Sequence, residues 1–257
     1  MIFDTHAHYD DEAFDLDRES LLENMHSQGI DFIINVGASL DSIKKTITLA
    51  EKYSFIYAAV GVHPSETKEL SEEDMQWLKE RSLHDKVAAI GEIGLDYYWP
   101  DPDREVQKKW FERQLQIAGE VKLPVIVHSR DAAKDTFDLL KKQRKNLTKV
   151  VIHCYSYGKE MAAEFLNLDF YFGIGGVLTF KNARKLIEAA EYIPMNRILL
   201  ETDCPYLAPE PYRGKRNQSS YIDFVAQRLS EIKQVSKEEV LIQTMQNAKD
   251  FFGKERF

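Results

Sequence analysis

The chain has 257 residues, 44% of them hydrophobic, and a formal net charge of −8. That composition supports a sizeable core, and its acidic balance excludes a surface coated in basic residues for tight nucleic-acid binding. Two cysteines, Cys154 and Cys204, without a Cys-x-x-Cys, exclude a disulfide framework and predict a reduced, cytoplasmic protein. No run of about 18 apolar residues predicts a membrane span.

Runs that are apolar on both faces alternate along the chain with amphipathic stretches. The first run, Ile2 to His6, precedes DRESLLENMHSQG, whose Gly29 is a predicted helix stop. Strands are predicted next over Phe32 to Val36 and Phe55 to Val60. SEEDMQWLKERS then opens with a loose capping box of Ser71 and Asp74. Val87 to Glu92, Pro124 to His128, Val150 to His153, Phe170 to Gly173 and Ile198 to Asp203 complete the strand set. LAPEPYRGKRNQSSY follows as a Pro-rich, locally basic loop, and Ser236 with Glu239 caps the last helix. Eight such strands alternating with helices predict a (β/α)8 TIM barrel, one domain over residues 1–257. An open doubly wound sheet is the alternative, but no Gly-rich phosphate fingerprint accompanies it.

In such a barrel, function sits at the C-terminal strand ends. Those ends carry His6 and His8, His63, Glu92, His128, His153 and Asp203. His26 and His84 fall in or after helices and read as surface residues. His-x-His at the start places both rings on one side of an extended strand. Four histidines with two carboxylates exceed one tetrahedral zinc, and they suit two divalent ions about 3.5–4 Å apart sharing a bridging carboxylate. Glu92 is the natural bridge, having two oxygens where an imidazole has one free nitrogen. Zn, Mn, Fe or Co suits the mixed donors better than Mg, which stays a second choice. Asp203 is the candidate general base, and His63 a candidate to orient substrate or protonate a leaving group. Each cysteine follows a ligand position by one residue and should face away from the lumen.

THAH, GEIGLDYY, PVIVHSRDA, IHCYS, GIGGVLTFKNA and LLETDCPYLAPEPYRGKRN, in this order, resemble the TatD family of metal-dependent deoxyribonucleases, across essentially the whole chain. The resemblance implies a TIM-barrel hydrolase with one ion on His6, His8, Glu92 and Asp203. A second ion would sit on Glu92, His128 and His153. Many bimetallic relatives bridge with a carboxylated lysine, so Glu92 favours the TatD branch. The implied substrate is DNA, single-stranded or at ends, cut at a phosphodiester in the manner of a 3'-5' exonuclease. One departure lies after RGKRN, where Gln218, Ser219 and Ser220 replace an acidic residue and a proline that are frequent in the family.

Phosphate needs cations. Arg130, two residues beyond His128, is the first choice, with a salt bridge to Asp131 or Asp96 as its competing role. Arg213, Lys215 and Arg216 form a basic cluster near the predicted mouth, and Tyr97 or Tyr98 could stack on a base. Asp4 and Glu201 share parity with His6 and Asp203 and should point inward to orient ligands. No membrane and no obligate protein partner is indicated. Two other functions stay open: an amidohydrolase-type enzyme acting on a cyclic amide, lactone or aminoacyl ester, and a non-catalytic binding protein stabilised by metal.

Overall fold

The eight apolar runs become eight parallel strands in a computed structural model that describes all 257 residues. They are β1 (Ile2–Ala7), β2 (Ile30–Val36), β3 (Ile56–Val60), β4 (Val87–Asp96), β5 (Val125–Arg130), β6 (Val150–Ile152), β7 (Tyr171–Ile174) and β8 (Ile198–Leu200). Each strand pairs with the next in sequence, in the order β1 to β8. The ring closes where the chain beyond β8 meets β1. Ala7 bridges Cys204, Asp203 N–H donates to His6 O (2.9 Å) and His8 N–H to Cys204 O (2.8 Å). Closure corrects the doubly wound alternative, which leaves two open edges.

Nine helices surround the strands: α1 (Arg18–Glu23), α2 (Leu40–Lys52), α3 (Glu72–Ser82), α4 (Arg104–Val121), α5 (Ala133–Gln143), α6 (Lys159–Asn167), α7 (Arg184–Tyr192), α8 (Ile222–Lys233) and α9 (Lys237–Phe252). Both expected capping boxes form, Ser71 with Asp74 on α3 and Ser236 with Glu239 on α9. The first helix is shorter than its sequence pattern. α1 ends at Glu23, and Gly29, at φ 81°, instead closes a 3-10 turn over His26–Gln28. No helix is long and apolar enough to cross a membrane.

Two apolar layers hold the barrel. A cluster of 54 buried residues, including Ile33, Trp110, Phe165 and Leu229, fills the space between strands and helices. A second cluster of 13 takes at least one side chain from every strand, among them Phe3, Ile34, Ala59, Ile126, Val151, Tyr171 and Leu199. This inner layer is completed by α9, whose Phe252 stacks on Phe3 and whose Phe251 meets Tyr171 edge-on. Apolar packing at that end leaves the C-terminal strand ends to the polar residues.

Candidate metal centre

The strand ends deliver their polar residues to one cavity of about 840 Å³. His6 lies within β1 and His8 just past it, while Glu92 lies within β4 and His128 within β5. His153 directly follows β6, and Asp203 stands three residues beyond β8. His8, His63, Glu92, His128, His153 and Asp203 line the cavity, and His6 is fully buried.

Glu92 divides this group. Its Oε2 lies 3.6 Å from His6 Nε2 and 3.9 Å from His8 Nε2, on the side that also holds Asp203 Oδ1. Its Oε1 lies 2.8 Å from His128 Nδ1 and 3.3 Å from His153 Nε2. The first set can be tested against a metal shell. The separations His6–His8 (3.1 Å), His6–Asp203 (3.7 Å) and His8–Asp203 (3.4 Å) join the two Glu92 distances. A tetrahedral shell with ion–ligand distances of about 2.0–2.2 Å has edges of about 3.3–3.6 Å, so the His6, His8 and Asp203 donors can share one ion, with Glu92 Oε2 beside the two imidazoles. His8 is already aimed, because its Nδ1 bonds Val36 O at 2.8 Å and leaves Nε2 for the cluster.

The electrostatics match a cation site. Burial opposes ionisation of Glu92, yet His153, His128 and His6 outweigh it and hold the carboxyl well below the usual range. Asp203 is likewise lowered, with His8, His153 and His6 overcoming burial. For His8, burial pulls down, but Asp203, Glu92 and Asp10 push it up to about 9. These carboxylates therefore draw protons onto His8, His128 and His153, protons that a divalent cation would replace, whereas burial and His153 keep His6 low. Glu201, as its parity predicted, backs the site: its Oε1 lies 3.1 Å from His153 Nδ1 and accepts from Cys154 N–H at 2.6 Å.

Other sequence candidates scatter. His63 joins the wall, with a ring nitrogen within 4.8 Å of Glu92 and His128 donor atoms. Its Nδ1 accepts from Ser65 N–H at 3.2 Å, and burial followed by the charge of His128 lowers it to about 4. Arg130 lines the cavity over the Tyr98 ring at 3.8 Å, without an ion pair to Asp96 or Asp131. Tyr97 is absent from the wall because its hydroxyl donates to Asp135 at 2.7 Å and Arg104 covers its ring. Arg213 lies over Phe180, Lys215 borders a neighbouring groove with Tyr206, and Arg216 is engaged by Asp17.

Two parity expectations need correction. Asp4 does not reach the ligand side chains. The β1 register shifts between Asp4 and Ala7, and the Asp4 carboxylate instead accepts from Thr202, Ser219 and His6 N–H. Cys154 lines the cavity rather than turning away, because its backbone takes φ 44° and strand alternation ends there. Burial pushes its thiol up to about 12, so it is no thiolate nucleophile. Among the wall residues that sequence reasoning passed over, three stand out. Asp96 bonds His128 Nε2 at 3.1 Å, and Trp99 and Tyr206 stand exposed at the rim. The signal for Asp96 was its even spacing from Glu92 along β4.

The family model described as TatD related DNase matches residues 3–253. The chain is similar to the uncharacterized metal-dependent hydrolase YabD of Bacillus subtilis, 43% identical over 252 residues, which cover 98% of this chain and 99% of that one. Among solved structures it is similar to YJJV, a TatD homolog from Escherichia coli, at 31% identity and TM-score 0.91, covering 98% of this chain and 97% of that one. A TatD family hydrolase of Entamoeba histolytica superimposes with TM-score 0.87 at 26% identity, covering 98% of each chain.

Proposed function

The chain belongs to the TatD family and is a metal-dependent hydrolase, and from that premise we propose that it cleaves DNA phosphodiesters at single-stranded segments or ends. Residues 1–257 act as one unit, with a site for two divalent ions. The observation that supports this reading is the divided Glu92, one oxygen turned to His6 and His8, the other to His128 and His153. His6, His8, Glu92 and Asp203 would hold one ion, and Glu92, His128 and His153 the other, with Mg, Mn, Zn and Co as the ions to test. When bound, such ions make water more acidic and withdraw charge from a phosphate.

The chain's own residues supply the rest. Asp203, kept ionised by its histidine neighbours, accepts the proton of the attacking water. His63, neutral at pH 7 with Nδ1 taken by Ser65, presents Nε2–H to a substrate oxygen. Arg130 is free of carboxylate partners and can grip a non-bridging phosphate oxygen through two N–H groups. A neutral carbonyl oxygen would accept from that guanidinium without offering it a charge, which sets the amide and lactone alternatives second. The test is nucleotide release from single-stranded DNA with Mg or Mn, wild type beside Asp203→Asn. Release by wild type alone supports the reading; no release, or equal release, refutes it.

A further inference from the structure

Tyr97, Tyr98 and Trp99 are consecutive, and each meets different surroundings. Tyr97 is held beneath the loop by Asp135 and Arg104. Tyr98 has its ring face covered by the Arg130 guanidinium, and its N–H is tied to Asp96 Oδ1 at 3.0 Å. Trp99 is 56% exposed and stands in the wall of the metal cavity. Its one aromatic contact is edge-on, to Tyr98 at 4.8 Å and 90°, and no cation covers it.

We propose that Trp99 is a base platform. The base beside the scissile phosphate lies on the indole, while Arg130, propped on Tyr98, holds the phosphate. The inference rests on the DNA reading above and adds a specificity to it. A cation for the backbone next to an uncovered aromatic face is the pairing by which single strands are bound without regard to sequence. A base within a duplex has both faces occupied, so only a terminal or single-stranded base reaches Trp99. The platform therefore selects frayed ends and single strands over intact duplex.

The test compares wild type, Trp99→Ala and Trp99→Phe, each loaded with Mn, on a short oligothymidylate and on the same strand with abasic tetrahydrofuran sites around the cleavage point. Trp99→Ala should raise KM on the normal strand between about 5- and 150-fold, the range that stacking one base supplies, with kcat nearly unchanged. Trp99→Phe should recover most of that loss, and the Ala penalty should collapse on the abasic strand. An unchanged KM, or an equal penalty on both strands, overturns the inference. Methyl p-nitrophenyl phosphate separates the two levels. Wild type that cleaves the oligonucleotide while Trp99→Ala keeps its KM overturns the platform alone, and wild type that hydrolyses only the small diester overturns the DNA reading and the platform together but leaves a phosphodiesterase. Wild type that hydrolyses neither overturns the phosphodiesterase reading and the platform with it.

Discussion

Gly173 sits in β7 directly beneath the carboxylate that backs His153. A methyl group added there would stand 2.1 Å from Glu201 Oε2, with the other carboxylate atoms at 2.6 and 2.8 Å. Such a clash is usually relieved by swinging the side chain aside, but Glu201 is 2% exposed and pinned at Cys154 N–H and His153. Ordinary contact begins near 3.4 Å, so Gly173→Ala forces a retreat of about 1.3 Å. That exceeds what the 2.6 Å bond to Cys154 N–H can absorb. Losing a hydrogen bond to a buried charge costs about 1.5–3 kcal/mol, or about 3–12 °C in Tm for a chain of this size. His153 also loses the group that orients it, which weakens ion affinity about 10–100-fold. Differential scanning calorimetry and titration with Zn or Mn read the two effects. Gly175→Ala is the control, since its nearest foreign atom is Glu201 O at 3.3 Å. If Gly173→Ala binds ions and melts like wild type, Glu201 does not position His153.

Asp203→Asn keeps the size of the side chain but cannot take a proton, so kcat should fall about 10²–10⁴-fold in the nucleotide-release assay. Dialysis against a chelator should abolish turnover and leave far-UV circular dichroism native, because buried apolar clusters of 54 and 13 residues hold the barrel; global unfolding would favour a structural metal. Asp17→Asn should cost about 0.5–1 kcal/mol at pH 7, since the pair with Arg216 is partly exposed. Arg216 holds Asp17 below its ordinary 3.8, so the contribution is complete above that pH and fades as pH falls through the lowered value. Urea melts at pH 7 and pH 3 should show the difference between variant and wild type shrinking at the lower pH.

The barrel was legible because parallel strands covered on both faces leave continuous apolar runs, and such runs carry their own ends. His6, Glu92, His128 and His153 stood out because polar residues closing apolar strands have few purposes. What escaped depended on breaks in regular backbone. Parity failed at Asp4, where the β1 register slips, and at Cys154, where φ turns positive. β4 continues to Asp96, past the Glu92 at which its sequence pattern stops. Among Tyr97, Tyr98 and Trp99, type and position could not tell which ring lies free, because Asp135 on α5, Arg104 on α4 and Arg130 on β5 decide that. Arg216 looked like a phosphate contact until its partner Asp17, distant in sequence, lay beside it.

The seam of the ring has a consequence for how the molecule comes into being. Asp203 N–H bonds His6 O, and Ala7 bridges Cys204, so the first strand made is completed only by the last. During synthesis the nascent chain carries His6, His8, Glu92, His128 and His153 long before Asp203 leaves the ribosome. Contacts this distant in sequence form late and slowly. A growing chain therefore cannot bring His6, His8 and Asp203 together before the final closure of the ring.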